Sequence, residues 1–396
     1  MAVVGGGAAS LMFAACIDTN KFDVVIYERN NAPGRKFLVA GDGGFNLTHS
    51  EPPQEFIRRY TPSHFIKDAF ERFNNADLVN WLHDAGIPTR TGSSGRVFPT
   101  KEFKPIEVLN VFLKIIRSKA IQFKFRHQWL GFLPNGALRF QNAFEELEVV
   151  GDHVVFALGG ASWPVTGSAG EWRGFFEGKG INTRVFEASN CTMHVHWPEA
   201  IATRFSGEPL KNIKISCAEH AVMGEVIITE EGLEGSGIYP LSPLIRAQLN
   251  SKGAAEIQID LKPALTKREL LKKISASPAH LSQSDRLRKA LNLNALQMEL
   301  LKHYVSKKTF LDNETLVAAV KALPLRISGM APVKDAISTV GGIMLEEIDK
   351  KFMLKKLPDH YVIGEMLDYD APTGGYLLQS CFSMGKFLAE VLNKDL

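Results

Sequence analysis

Met1-Ala2-Val3-Val4-Gly5-Gly6-Gly7-Ala8-Ala9-Ser10 decides the fold, together with the apolar Leu11-Met12-Phe13-Ala14-Ala15 behind it and, after a polar break, Asp23-Val24-Val25-Ile26-Tyr27-Glu28. The two β-branched runs read as strands, the glycines as a turn and the apolar stretch as a helix, and the second strand closes on an acid. That is the order of a dinucleotide-binding βαβ unit. Gly5 permits the tight turn. Gly7, with Ala8 and Ala9 opening the helix, lets backbone N–H groups approach a pyrophosphate where the helix dipole favours an anion. Glu28 stands about 20 residues beyond the glycines, where a carboxylate accepts ribose hydroxyls and disfavours a 2′-phosphate. Ser10 replaces the third glycine of the usual fingerprint and is small enough for close helix-to-strand packing. A helix start capped only by small residues is the competing reading. The motif does not separate FAD from NAD.

A chain of 396 residues suggests two or three domains. Its 45% hydrophobic and 22% charged residues are ordinary for a globular protein. The net charge is +3 with Lys and Arg scattered, so no nucleic-acid partner is expected. No apolar run reaches the roughly 18 residues of a membrane span, and the N-terminus lacks the basic segment of a signal peptide. A cytoplasmic location without a membrane partner is expected. Cys16, Cys191, Cys217 and Cys381 include no CxxC or CxxxxC pair, which excludes the flavoenzymes that reduce disulfides through two neighbouring thiols. Cys16 and Cys381 fall in apolar helical patterns and read as buried small hydrophobes. Cys191, His194 and His196 form a metal-like group without a fourth ligand and read as strand residues; no metal is expected.

Further along, Gly34-Arg35-Lys36 leads into a glycine-dense loop through Gly43 to Asn46-Leu47-Thr48. Such density implies a backbone pressed against something flat or charged. Helical spacing follows over 63–86 and near 104–118, and strands at 121–125, 145–150 and 153–158, the last running through Ala157 into Gly159-Gly160. Over 188–262 the period shortens to two with frequent turns, as in a small β-barrel or sandwich, and over 263–325 the pattern is helical. Over 326–396 the early texture returns, with a strand ending in Gly364-Glu365 and then Gly374-Gly375-Tyr376 opening a helix. A strand ending in Gly-Glu, then a glycine pair at a helix start, can hold a ribityl chain and aim a helix dipole at a flavin's C2 carbonyl edge. A side chain at Gly375 is then expected to weaken that contact while leaving the fold largely intact. No second nicotinamide-type fold is visible.

These segments resemble the BaiN-like, or aminoacetone oxidase-like, family of bacterial NAD(P)/FAD-dependent oxidoreductases. The matching pieces are Gly5-Gly6-Gly7-Ala8-Ala9, Gly34-Arg35-Lys36 to Asn46-Leu47-Thr48, Ala157-Leu158-Gly159-Gly160-Ala161-Ser162, Gly341-Gly342, and Gly364-Glu365 through Gly374-Gly375-Tyr376. Within the family the chain is most similar to an uncharacterised flavoprotein subgroup. The resemblance implies an α/β chain whose Rossmann-like FAD-binding domain, residues 1–187 and 326–396, is interrupted by a small β-barrel, 188–262, and a helical insert, 263–325. It implies cofactor contacts at Gly5, Gly7, Ala8, Ala9, Glu28, Arg29, Lys36, Gly43, Asn46, Leu47, Thr48, Ala157, Gly159, Gly364, Glu365, Gly374, Gly375 and Tyr376. One departure stands out: the family's small-Gly-x-Gly-Arg-Cys-Asn loop is here Ala40-Gly41-Asp42-Gly43-Gly44-Phe45-Asn46, with Gly44 and Phe45 at the Arg and Cys positions.

The expected function is that of an FAD-dependent oxidoreductase acting on a small molecule and reduced by a transiently bound NAD(P)H. Arg96, Phe98 and Lys101 are candidate substrate walls in a pocket between the FAD sheet and the insert; solvated loop charge is the competing reading. Two alternatives remain open: a non-catalytic flavin-binding or regulatory protein, and a flavin-dependent RNA-modifying enzyme. Neither the substrate nor the oligomeric state is named by the sequence.

Overall fold

The computed structural model describes residues 1–39, 45–278 and 280–394. The chain forms two compact units, Met1–Ser189 with Val333–Leu396, and Asn190–Pro332.

The first unit is built on strand β1, Ala2–Val4, whose three residues are all buried. Such a run of Ala and Val suits a strand covered on both faces. β1 lies between β2, Val25–Glu28, and the strand Val154–Phe156, and the order continues outward to Gln122–Phe125 on one side and His360–Val362 on the other. All the pairings in this sheet are parallel. Their carboxyl ends therefore open on the same edge, where Gly5, Glu28, Ala157 and Ile363-Gly364 follow or end the strands.

Helix α1, Ala8–Cys16, starts directly after the glycine turn and buries Ala9 through Ala15. A helix apolar on nearly all sides is held by packing rather than by a single face. Its partner is the C-terminal helix, Tyr376–Lys394. The two cross closely at Gly385, where an added Cβ would meet the Ala9 carbonyl oxygen and lie 2.9 Å from Phe13 N. Helix α2, Arg35–Val39, and strand β3, Thr48–His49, follow β2. An antiparallel pair, Thr183–Ser189 with Ser338–Ile343, ties the two chain segments of this unit together beyond the main sheet.

In the second unit, seven strands form one antiparallel sheet that begins at the edge strand Leu323–Ile327 and ends at Gly329–Met330. The β-rich and helical stretches share one core: Ile213 and Ile257 of the sheet cluster with Leu270, Leu296 and Leu316 of the helices. Leu323–Ile327 continues no helix. Pro324 inside it is accommodated because this strand lies on the sheet edge. Among the described residues no helix is long and apolar enough to cross a membrane.

Gly385→Val is expected to destabilise the chain by about 1–3 kcal/mol, the scale of overpacking a tight core. Urea unfolding followed by circular dichroism measures this, and an unchanged midpoint would remove Gly385 from the helix crossing.

Candidate functional site

A groove of about 380 Å³ opens along the carboxyl edge of the parallel sheet. Its floor is the glycine turn. Gly5 has φ +101°, and an added Cβ would lie 2.5 Å from the Ala157 carbonyl oxygen, so β1 and its neighbour approach only because that atom is missing. Gly7 differs: its Cβ position has a single neighbour within 4 Å, Ala157 O at 4.0 Å, so it faces the groove. With Gly7 as the N-cap of α1 and no acidic side chain in the first turn, the helix presents free N–H groups and a positive dipole end there.

The Glu28 carboxylate sits beside this turn and is 8% exposed. Its Oε2 accepts from Gly6 N at 2.8 Å, and its Oε1 accepts from both the backbone N and Nδ2 of Asn30 at 2.8 Å. Each carboxylate oxygen takes about two donors, so Oε2 keeps one acceptor position for a hydroxyl. Lys36 Nζ donates to Ser162 Oγ at 2.9 Å and to Glu365 Oε2 at 3.1 Å, while Thr339 N donates to Glu365 Oε1 at 3.1 Å. Asn46 also lines the groove, and its Nδ2 is buried with no acceptor among the described residues. A buried amide donor without a partner is rare and points to an acceptor supplied by a ligand.

Of the sequence-derived positions, Gly5, Gly7, Ala8, Ala9, Glu28, Arg29, Lys36, Asn46, Ala157, Gly159, Gly364, Glu365, Gly374 and Gly375 all line this groove. Gly43 lies outside the described residues. Leu47 and Thr48 are fully buried away from the groove lining, and Thr48 Oγ1 donates to Gln379 Oε1 at 2.7 Å. Tyr376 faces elsewhere too: its hydroxyl donates to Glu51 Oε1 at 2.5 Å, and its carbonyl accepts from Tyr60 OH at 2.8 Å. These three residues hold the chain behind the glycine pair. Gly375 has φ +99° and an added Cβ would lie 2.5 Å from Thr48 Cα, so a side chain there displaces β3 and does not leave the fold intact.

None of the candidate wall residues Arg96, Phe98 and Lys101 lines the groove; the nearest approach is at Gly374, where Arg96 Nε lies 3.6 Å from the position of an added Cβ. Phe98 lies under the Arg90 guanidinium, 5.0 Å from the ring centroid, and Lys101 is exposed. Phe45, at the family's Cys position, is buried edge-on against Phe37 with ring centroids 4.7 Å apart. Cys381 lines the groove, but burial, with the Glu365 charge second, pushes its thiol up to about 12, so it is a neutral thiol at physiological pH. Among the lining residues that the sequence reading did not single out are Asn30 and Trp129. Asn30 is a short polar side chain in a turn, with nothing local to mark it as the carboxylate's partner. Trp129 lies in a strand whose alternation was not recognised, and its buried Nε1 has no acceptor among the described residues.

The parallel sheet, the open helix N-terminus and the acid at the end of β2 define the class: a flavoprotein oxidoreductase with a Rossmann FAD-binding fold. The chain belongs to the family described as HI0933-like protein Rossmann domain, whose match covers residues 1–391. It is 23% identical to a ribosomal RNA dihydrouridine synthase of Escherichia coli K12, over 96% of this chain and 94% of that protein. It is 20% identical to a 3-dehydro-bile acid delta(4,6)-reductase of Clostridium scindens, over 97% of this chain and 96% of that protein. Among solved structures, the 3-ketosteroid-delta4-(5alpha)-dehydrogenase of Rhodococcus jostii superposes with a TM-score of 0.53 at 12% identity, covering 99% of this chain and 96% of that one.

Glu28→Ala is expected to weaken FAD binding by about 1.5–3 kcal/mol, the scale of a hydrogen bond to a charged group. Titrating apoprotein with FAD measures this, alongside Asn46→Leu, which removes the orphan donor. A dissociation constant unchanged in both variants would sink the assignment of the groove to the cofactor.

Proposed function

We propose that this FAD-dependent oxidoreductase takes reducing equivalents from NAD(P)H and delivers them to the carbon–carbon double bond of a small conjugated carbonyl or carboxylate compound. The observation that carries the substrate class is Arg96. Arg96 does not itself line the groove, but its guanidinium stands beside Gly374, which does, and makes no ion pair among the described residues, so it is available to an anionic or carbonyl oxygen that reaches past the glycine. The names of the two relatives agree with a double-bond reduction, one forming dihydrouridine and the other being a delta(4,6)-reductase.

The roles of the chain's own groups follow from position. Gly5 to Ala9 cradle the pyrophosphate on the α1 N-terminus, and the free acceptor position of Glu28 takes a ribose hydroxyl. Asn46 and Lys36 offer donors to the ring system or its side chain. The N-terminus of the C-terminal helix, behind Gly374 and Gly375, favours negative charge on the reduced ring. Bound FAD supplies the hydride chemistry, and the protein supplies orientation and electrostatics.

A uracil ring within RNA is the second reading, favoured by the full-length match to the Escherichia coli relative and its name. Incubating the protein with NADPH and ribosomal RNA, then weighing its nucleosides, distinguishes the two: a gain of two hydrogens on uridine supports RNA.

Steady-state NADPH oxidation separates an enzyme from a non-catalytic flavin carrier, since a carrier is reduced once and does not turn over. With no second dinucleotide fold among the described residues, initial rates against NADPH and an α,β-unsaturated acceptor should give the parallel double-reciprocal lines of ping-pong kinetics. Intersecting lines would argue for a ternary complex. Arg96→Ala should slow reoxidation of the reduced protein by such acceptors by about 10- to 150-fold, the loss of one charged hydrogen bond, with FAD content unchanged. Equal reoxidation rates would remove Arg96 from the substrate site.

A further inference from the structure

The modest net charge of the chain conceals an uneven distribution. Between Lys267 and Lys308 there are ten Lys and Arg against three Asp and Glu, a local +7 where the whole chain totals +3. This stretch holds the helices Lys267–Ser275, Gln283–Leu291 and Ala295–Tyr304 of the second unit and opens a fourth at Lys307.

The fold points the basic residues outward. Leu270 and Ile274, Leu287 and Leu291, and Leu296, Leu300 and Leu301 form the buried stripes of the three helices. Nine of the ten cations are exposed, and among the described residues none of these nine makes an ion pair; the tenth, Arg286, is half-buried and donates to Ile274 O at 3.1 Å. The three carboxylates are engaged locally. Glu269 caps its helix by accepting from Thr266 N at 2.7 Å, Asp285 accepts from Ser282 Oγ at 2.6 Å, and Glu299 pairs with His303 at 3.3 Å. The stretch therefore carries an excess of exposed positive charge that close ion pairs do not neutralise.

We propose that this basic helical face is a docking surface for structured RNA. Excess cations on neighbouring helices are the electrostatic footprint of a phosphate backbone. Among the described residues, no exposed large hydrophobic side chain lies between 267 and 308, which removes the apolar anchors that a membrane surface or a protein hot spot uses. Polar donors are interleaved instead, with exposed Ser275, Ser282, Asn292, Asn294 and Ser306 beside the Lys and Arg residues. RNA recognition of this kind works through phosphates and hydroxyls and asks for no base contact. The surface stands whether or not the ring reduced in the groove belongs to RNA.

The test uses the full chain with its flavin and a fluorescein-labelled RNA hairpin, read by anisotropy between about 50 and 200 mM salt. Binding should weaken steeply with salt, and the fourfold variant Lys267→Ala, Arg268→Ala, Lys272→Ala, Lys273→Ala should lose at least about tenfold in affinity and reduce the log–log salt slope by roughly 3 to 4. Arg288→Ala with Lys289→Ala and Lys302→Ala forms a second, independent set expected to act in the same direction. Lys114→Ala with Lys124→Ala, exposed cations of the first unit, should change nothing. Flavin content and NADPH oxidation should be unaffected throughout, which separates this surface from the groove chemistry. Absent hairpin binding, binding unchanged in both sets of variants, or equal affinity for a poly-glutamate peptide or anionic vesicles would overturn the proposal.

Discussion

The approach of backbone to backbone without an intervening side chain is the constraint on which the groove depends. Gly5 lets the end of β1 reach the Ala157 carbonyl, and that contact brings the α1 N-terminus to the middle of the sheet's carboxyl edge. Gly385 lets the C-terminal helix cross α1 closely, and Gly375 lets the start of that helix lie against the Thr48 backbone. The first approach fixes where the N-terminus of α1 meets the groove. The other two bring Gly374 to the opposite end of the same groove. A Cβ at any of the three would cost more than its own clash, because each position carries the placement of an element made of residues distant in sequence.

Around that backbone the polar groups divide by function. Glu28 is stabilised by three short donations from Gly6 and Asn30 yet retains an acceptor position, so it is held in place without being saturated. Buried Glu365 pairs with a partly exposed Lys36, and the hydrogen bonds to Ser162 and Thr339 reduce the cost of burying the carboxylate. Behind the glycine pair two further hydrogen bonds, Thr48 to Gln379 and Tyr376 to Glu51, face away from the groove. The groove itself keeps an Asn46 Nδ2 that has no acceptor among the described residues.

The parallel core was legible because its signals are local: a β-branched run, glycines, an apolar helix and an acid lie within Met1 to Glu28, and the residues they single out lie at one edge of one sheet. What pairs over long distance was not. The ladder between Thr183–Ser189 and Ser338–Ile343 joins segments some 150 residues apart, and no periodicity in either names the other. Pro324 hid a strand because the rule against proline in strands holds only away from sheet edges, and edges are defined by neighbours. Leu47, Thr48 and Tyr376 shared a motif with groove residues in sequence, but alternation turned them into the core behind it.

The charge of the second unit shows the same limit from another direction. A total of +3 says that cations and anions nearly balance over the chain, and it says nothing about where each sign is compensated. Compensation is a property of neighbours: Lys321 meets Asp260 at 2.6 Å and is neutralised, whereas the carboxylates of Glu269 and Asp285 are turned back on their own helix starts. Glu269 and Asp285 accept hydrogen bonds at their own helix starts and form no close ion pair with the exposed Lys and Arg residues around them, so the excess of positive charge in this stretch stays at the surface. The charge pattern of this unit is therefore a property of its fold that the total for the chain does not reveal.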